Sequence, residues 1–442
     1  MSPEPAVMPE PAWVRHAVLW QVYPLGFLGA DVSGADRASR RTLADLIPWL
    51  GYAAELGCSA VALGPVFESE THGYDTIDHF AIDSRLGGLS DFDALVAAAR
   101  DRGLRIVLDG VFNHVGRRFA RFLDAQRGDE EAQAWFRPAP DLPGGYATFE
   151  GHEALVALDH ANPQVVDYIA RVMTHWLDAG ASGWRLDAAY AVSPAVWARV
   201  VERVRARHPQ AYLFAEVLHG DYARFVAESG VDSVTQYELW KAIWSSISDA
   251  NFHELAWALR RHQGMLERFA PQTFIGNHDV TRIAAQIGDA RHRAHALVLL
   301  MTLGGTPSIY AGDERGMQAV KENRAGGDDA IRPAFPAAPS GLSGGEDVLR
   351  LHQRLIGLRR RHPWLHRASA DIESLANDQL MYRLGSDGRA LRVALNLGDR
   401  PMTARIAAPD VSAWSLRAGE AQPAGPLEWR IAPHGWAVLG CG

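Results

Sequence analysis

The feature that most constrains this chain is an alternation of element types. Between residues 16 and 362, short apolar runs alternate with amphipathic stretches. The runs are HAVLWQVYP (16–24), CSAVALGPVF (58–67), LRIVLDGVFNH (104–114), SGWRLDAA (182–189), AYLFAEV (211–217), VDSVTQYE (231–238), PQTFIGNHD (271–279) and TPSIYAGDE (306–314). Each is a nearly continuous β-branched, aliphatic or aromatic stretch, as a strand buried on both faces requires. The segments between them include TLADLIPWLGYAAELG, DFDALVAAARDRG, NPQVVDYIARVMTHWLDAG, SPAVWARVVERVRARHP and HRAHALVLLMTLGG, all with helical periodicity. Several end on glycine just past the last apolar turn, a C-cap signal. Asn162-Pro163 and Ser193-Pro194 open two of them with an N-cap residue and a proline at the first helical position. Eight strand–helix units in series predict a (β/α)8 TIM barrel. A doubly wound open sheet is the alternative; polar residues at the C-terminal end of every strand favour the barrel.

Two connections are too long for plain loops. The segment after strand three, 115–160, is rich in Arg, Gly and Pro and reads as a short inserted domain B. A second long loop, 316–347, follows strand eight. After the amphipathic helix at 347–365 the pattern changes to period two, in QLMYRL, ALRVALNL, TARIAA, LEWRIA and GWAVLG. That pattern predicts a C-terminal antiparallel β domain. The expected organisation is a disordered leader (1–13), a barrel (14–114 and 161–365), an insertion (115–160) and a β domain (366–442).

Composition narrows the partners. The net charge of −8 argues against nucleic acid, whose phosphates need a concentrated basic face. No apolar run reaches membrane-spanning length, so no membrane partner is expected. The Pro-rich, acidic start lacks the basic and apolar regions of a signal peptide, which predicts a cytoplasmic protein. Two cysteines, Cys58 in an apolar run and Cys441 next to the end, form no disulfide framework. The 14 tryptophans are a weak hint of stacking surfaces for apolar ligand faces, sugar rings included. A monomer or a homodimer would fit equally.

In a barrel, reactive groups sit where strands end and loops begin. Those ends supply Asp109, Asn113 and His114 from strand three, and Arg185 and Asp187 from strand four. Strand five adds Glu216; strand seven adds Asn277, His278 and Asp279. Clustered carboxylates repel, and burial raises the pKa of at least one. One carboxylate held ionised by an arginine and another kept protonated by burial is what two-carboxylate glycoside hydrolysis needs.

DGVFNH (109–114), GWRLDAA (183–189), FAEV (214–217) and FIGNHD (274–279) resemble, in order, the four signature regions of the α-amylase family of retaining glycoside hydrolases. HGYDT (72–76), VALDHANPQV (156–165) and GTPSIYAGDE (305–314) are similar to three further family motifs. The resemblance spans residues 16–362 and implies roles. Asp187 matches the nucleophile, Glu216 the general acid/base and Asp279 the third carboxylate. Arg185 is expected to pair with Asp187. His114 and His278 match sugar-binding histidines, Tyr74 the aromatic platform beneath the sugar and Asp75 its buried neighbour. Asp109 matches a supporting structural carboxylate. His219 and Arg282 are further candidate substrate contacts; Tyr237 and Glu238 read more plainly as structural. Trp184, next to Arg185, should point the other way, into the core.

The signatures look closest to the intracellular neopullulanase, cyclomaltodextrinase and maltogenic amylase group, without its N-terminal domain. The segment VDSVTQYELWKAIWSS resembles cyclic maltosyl-maltose hydrolases. The implied substrates are short linear or cyclic malto-oligosaccharides. A transglucosylase or trehalose-synthase-like isomerase would use the same residues, so these do not discriminate. A non-catalytic sugar-binding relative would have lost Asp187 or Glu216. A metal-dependent hydrolase would need a His/carboxylate cluster at the strand ends. Family members often bind calcium through the residue matching Asn113. The Asp-rich loop after strand one is reduced here to Asp31 and Asp36, so no cofactor is required and calcium is possible without being expected.

Overall fold

Every one of the eight apolar runs contains a strand. In the computed structural model, which describes residues 10–142, 144–324, 326–386, 389–406, 414–425 and 427–441, the chain divides into two units. The first comprises Leu19–Thr235 and Arg332–Ser343 with the chain up to Val14; the second comprises Arg15–Val18, Gln236–Ile331 and Gly344–Gly442.

In the first unit the strands Leu19–Val22, Ala60–Leu63, Arg105–Val111, Gly183–Asp187, Tyr212–Ala215 and Ser233–Val234 pair in parallel, each with the next in chain order. In the second unit Gln272–Phe274 pairs in parallel with Thr306–Tyr310. These are strands one to eight. Their number, direction and alternation with helices are those of a (β/α)8 barrel. Strands two, four, five and eight are buried at every position, which is why their sequences are continuous apolar runs rather than alternating ones.

The helix Pro163–Asp178 starts as its sequence dictates: the Asn162 side chain accepts from the Gln164 N–H, with proline at the first helical position. Ser193 stands at the corresponding place before Pro194–Arg207, but its side chain makes no cap hydrogen bond. The run 231–238 is mostly not strand. Only Ser233–Val234 is extended; the Gln236 side chain accepts from the Leu239 N–H and opens the helix Tyr237–Ser248.

The insertion after strand three forms a three-stranded antiparallel sheet, His114–Gly116 with His152–Ala157 and Thr148–Phe149. It also carries the short helices Ala120–Gln126 and Glu130–Gln133. The C-terminal part of the second unit has two antiparallel sheets, one of five strands and one of three. Met381, Ala394, Met402, Ile431 and Leu439 pack between them, flanked by Trp414 and Trp429. Alternation in Met402–Arg405 (buried, exposed, buried, exposed) is the half-buried strand pattern read from the sequence.

The expected leader needs correction at its end. Residues 1–9 lie outside the described residues, but Ala12–His16 is a 3-10 turn. Trp13 in it meets the ring of Tyr212 edge-on at 5.8 Å, so the order begins before residue 14. Among the described residues no helix is long and apolar enough to cross a membrane.

Candidate active site

Strand register brings the charged residues of the first unit together. Asp109 lies directly opposite Arg185, and Val111 opposite Asp187, on the parallel pair of strands three and four. Arg185 and Asp187 are two residues apart and share a face. Trp184 between them points away: it is fully buried, and its indole N–H donates to the Met173 carbonyl in the helix behind the sheet.

Arg185 is the centre of the cluster. Its Nη1 donates to Asp109 at 2.7 and 2.8 Å and to Asp187 Oδ1 at 3.0 Å. Its Nη2 lies 2.7 Å from Glu216 Oε1. Burial by itself would favour the neutral guanidine, but Asp109, Glu216, Tyr74 and Asp187 outweigh it and hold the proton well beyond the ordinary arginine range. The expected pairing of Arg185 with Asp187 is present, and the same guanidinium also reaches Asp109 and Glu216. Only 10% of the Asp187 side chain and 9% of Glu216 reach the surface, so both carboxylates are largely buried.

A second contact sets the Glu216 carboxylate. The Ala188 N–H donates to its Oε2 at 2.9 Å. Ala188 adopts φ 44° and ψ 34°, a left-handed conformation that alanine takes at a cost of about 1 kcal/mol. Strain at the residue after the candidate nucleophile is therefore coupled to the placement of the candidate acid/base.

Tyr74 joins the cluster through its hydroxyl, 3.3 Å from Asp109 Oδ2. His114 is 1% exposed, and both its ring nitrogens are engaged within the protein. Nε2 lies 3.0 Å from the Tyr74 carbonyl and Nδ1 3.1 Å from the Asn113 amide nitrogen. Burial lowers its pKa to about 4, so the ring is neutral near neutral pH. Expected as a sugar contact, His114 instead holds Tyr74 in place. Asp75 is the buried neighbour that the resemblance implied: it is 3% exposed and its Oδ2 accepts from the Thr71 hydroxyl at 2.5 Å. His219 is exposed in the turn after Glu216, apart from this network.

The residues after strand seven form their own arrangement in the second unit. Asn277 Oδ1 accepts from the Asp279 N–H at 2.8 Å, and its amide donates to the Tyr237 hydroxyl at 3.0 Å. His278 Nε2 is 3.1 Å from Asp279 Oδ2; the histidine is 1% exposed and the carboxylate 30%. Glu238 pairs with Arg261 at 2.6 Å. Arg282, expected at the substrate, is 1% exposed and sealed beneath the loop. It donates to Asp313 at 2.8 Å and to the carbonyls of Ala311 and Ile331 at 3.0 Å, with its guanidinium over the Tyr310 ring. Burial raises Asp313 to about 6 against the pull of Arg282. Asp313 Oδ2 also abuts Gly276, where an added Cβ would lie 2.3 Å from it. Arg282 and Asp313 thus support the Asn277–Asp279 loop from behind.

Four residues escaped the sequence reading. The Arg332 guanidinium lies over the rings of Tyr23 and Tyr74, at 4.8 and 5.9 Å. It comes from a Gly/Asp-rich loop with no periodicity to place it. Phe149, from the inserted sheet, stacks on His114 at 4.6 Å. Tyr190 and Glu150 share a hydrogen bond of 2.7 Å. None of these lies within a strand-end motif beside the carboxylates, which was the only signal available.

Among the described residues no group of three or more His, Cys, Asp or Glu could hold a metal ion. The Asn113 amide is turned to His114, and Asp31 accepts from the backbone of Ser33 and Asp36.

The family model "Alpha amylase, catalytic domain" matches residues 21–340. The chain belongs to the α-amylase family. It is a glycoside hydrolase of that family, with its TIM-barrel fold. A cyclomaltodextrinase of Bacillus sp is 28% identical over 424 residues, covering 88% of this chain and 74% of the relative. Neopullulanase 2 of Thermoactinomyces vulgaris is 30% identical over 390 residues, 80% of this chain and 65% of that one. Among solved structures, the cyclic α-maltosyl-(1→6)-maltose hydrolase of Arthrobacter globiformis superposes with a TM-score of 0.81 at 25% identity, covering 98% of this chain and 99% of that one. The debranching enzyme of Nostoc punctiforme gives 0.82 at 26% identity, covering 98% and 100%.

Proposed function

We propose that this family member cleaves α-glucosidic bonds in short linear or cyclic malto-oligosaccharides by double displacement, with Asp187 as nucleophile and Glu216 as acid/base. The observation that carries the reading is the bridging of both carboxylates by the two terminal nitrogens of Arg185. Such a bridge suits the separation of roughly 5–5.5 Å used by retaining enzymes. In the first step Glu216 gives its proton to the glycosidic oxygen, the C1–O bond breaks, and an Asp187 oxygen bonds to C1. In the second, Glu216 takes a proton from water, whose oxygen bonds to C1 and releases Asp187. Arg185 keeps Asp187 ionised for attack, and Tyr74, steadied by His114, forms the platform beneath the sugar. Asp279 and His278 bind sugar hydroxyls by their match to the fourth signature region.

The partition into barrel, insertion 115–160 and β domain 366–442 is part of the same reading. So is a cytoplasmic location, where the substrates would be dextrins already taken up. The names of the relatives support small substrates over polymer. The test is kcat/KM for maltotetraose, a cyclic dextrin and soluble starch, with NMR of the first-formed product. Preference for the small substrates and an initial α-anomer are expected; an initial β-anomer overturns the double displacement, and equal activity on starch overturns the substrate class.

A further inference from the structure

Tyr190 sits three residues past Asp187, on the 3-10 turn Ala189–Ala191. Its backbone N–H donates to the Glu216 carbonyl at 3.2 Å, which fixes it beside the acid/base. Its hydroxyl donates to Glu150 Oε1 at 2.7 Å, a contact spanning 40 residues of chain. Glu150 and Gly151 make the turn of the inserted hairpin, both with positive φ, 50° and 81°. Glycine adopts that conformation freely; a glutamate does so at a cost and needs a partner to hold it. The residue before it, Phe149, stacks on His114 at 4.6 Å with planes 19° apart, and its ring is 6.5 Å from that of Tyr190. The hairpin tip is thus tied twice, to His114 and to the turn after Asp187. Burial, then the Glu150 hydrogen bond, raises the Tyr190 phenol well above its ordinary range, so it remains a donor throughout the working pH range. Glu150 is exposed and Tyr190 half-buried, which places this bond at the solvent edge of the site. The acid/base side is where the leaving sugar departs and water arrives.

We propose that the Tyr190–Glu150 hydrogen bond is a latch that holds the hairpin tip Phe149–Gly151 at the leaving-group side of the site and selects substrates by girth. A thin linear oligosaccharide passes the closed tip; a cyclic or branched dextrin must displace it. This rests on the assignment of Asp187 and Glu216. Opening the latch breaks one side-chain hydrogen bond at a solvent edge, a modest interaction, so the selectivity it confers is several-fold rather than absolute.

The experiment compares kcat/KM for cyclomaltohexaose and maltotriose in the parent protein and in Tyr190→Phe, Glu150→Ala, their double variant and Glu150→Gln. Tyr190→Phe and Glu150→Ala should each raise the cyclic-to-linear ratio by about three- to tenfold, mainly through KM for the ring. The double variant should add nothing further, since both changes open the same latch. Glu150→Gln keeps an oxygen that accepts from the tyrosine and should stay near the parent. Should Glu150→Ala fail to fold, Tyr190→Phe keeps the ring and decides alone. A ratio within twofold of the parent in Tyr190→Phe overturns the latch while leaving the catalytic assignment standing. A parent protein that cleaves neither substrate overturns that assignment, and the latch with it.

Discussion

Two carboxylate sites, one in each unit, are held in place by different means. At the ends of strands four and five, Asp187 and Glu216 are direct partners of one buried arginine, which also binds Asp109. After strand seven, Asp279 touches its own loop neighbours, and the buried arginine there, Arg282, pairs with Asp313. In the first case the supporting cation contacts directly the carboxylates proposed to react. In the second it acts on the backbone that carries the carboxylate. On the proposed roles, the buried nucleophile needs a counter-charge to stay ionised. Asp279, proposed only to orient sugar hydroxyls, is 30% exposed, and what the structure maintains there is its position.

Four experiments probe this contrast, in falling order of effect. Asp187→Asn is nearly isosteric and should lower kcat by at least about four orders of magnitude with the fold intact, because it removes the proposed nucleophile. Arg185→Met should be as inactive and also cost about 3–5 kcal/mol of stability, since it leaves buried carboxylates without their counter-charge. Urea titration beside the kinetics separates the two; an Arg185→Met protein as stable as the parent would remove the arginine from the centre of the site.

Arg282→Met should act at one remove. Loss of the support beneath the loop is expected to lower kcat about 10- to 100-fold, less than any change at Asp187. It also leaves Asp313 buried beside Gly276 without its partner. Adding Asp313→Asn should recover much of the lost stability, by removing the orphaned charge, but not the activity. If the double change restores kcat as well, the loop does not depend on this pair for its geometry.

The smallest effect is on stability against pH. His79 and His114 in the first unit, and His262, His295 and His352 in the second, are all lowered to about 4, each mainly by burial. A histidine with a lower pKa in the folded state binds fewer protons there than when unfolded. Its contribution is complete above about 6.5 and is lost as pH falls toward 4. Asp232 and Asp313, raised to about 6 by burial, have the opposite sign: they favour the folded state below the ordinary carboxylate range and lose that contribution as pH rises through 6. The five histidines outnumber the two carboxylates. The Tm should therefore fall by about 5 °C or more from pH 7 to pH 4.5. A Tm that rises on acidification would mean that the buried carboxylates dominate.

The barrel was legible because most of its strands are buried on both faces, so most are written as nearly continuous apolar runs. The strand-end motifs placed Asp109, Arg185, Asp187 and Glu216 for the same reason: they interrupt those runs at their C-terminal ends. Residues 218–270 were harder to read. The strand there is two residues long, and the helix Tyr237–Ser248 begins inside the same apolar run, started by a glutamine cap rather than by Ser, Thr, Asp or Asn. The end of the expected leader also misled, since the packing of Trp13 on Tyr212 depends on a residue two hundred positions away along the chain.

The sequence by itself determined the element order, the family and which carboxylates are available for chemistry, because burial pattern and strand-end position are written locally. It did not determine what each polar group touches. His114 and Arg282 carry the residue types of substrate contacts, yet the fold turns one toward the Tyr74 carbonyl and the other toward Asp313. That choice belongs to tertiary structure. A donor's partner is set by which carbonyl or carboxylate arrives within 3 Å after distant segments pack, and desolvation then makes any unpaired alternative costly.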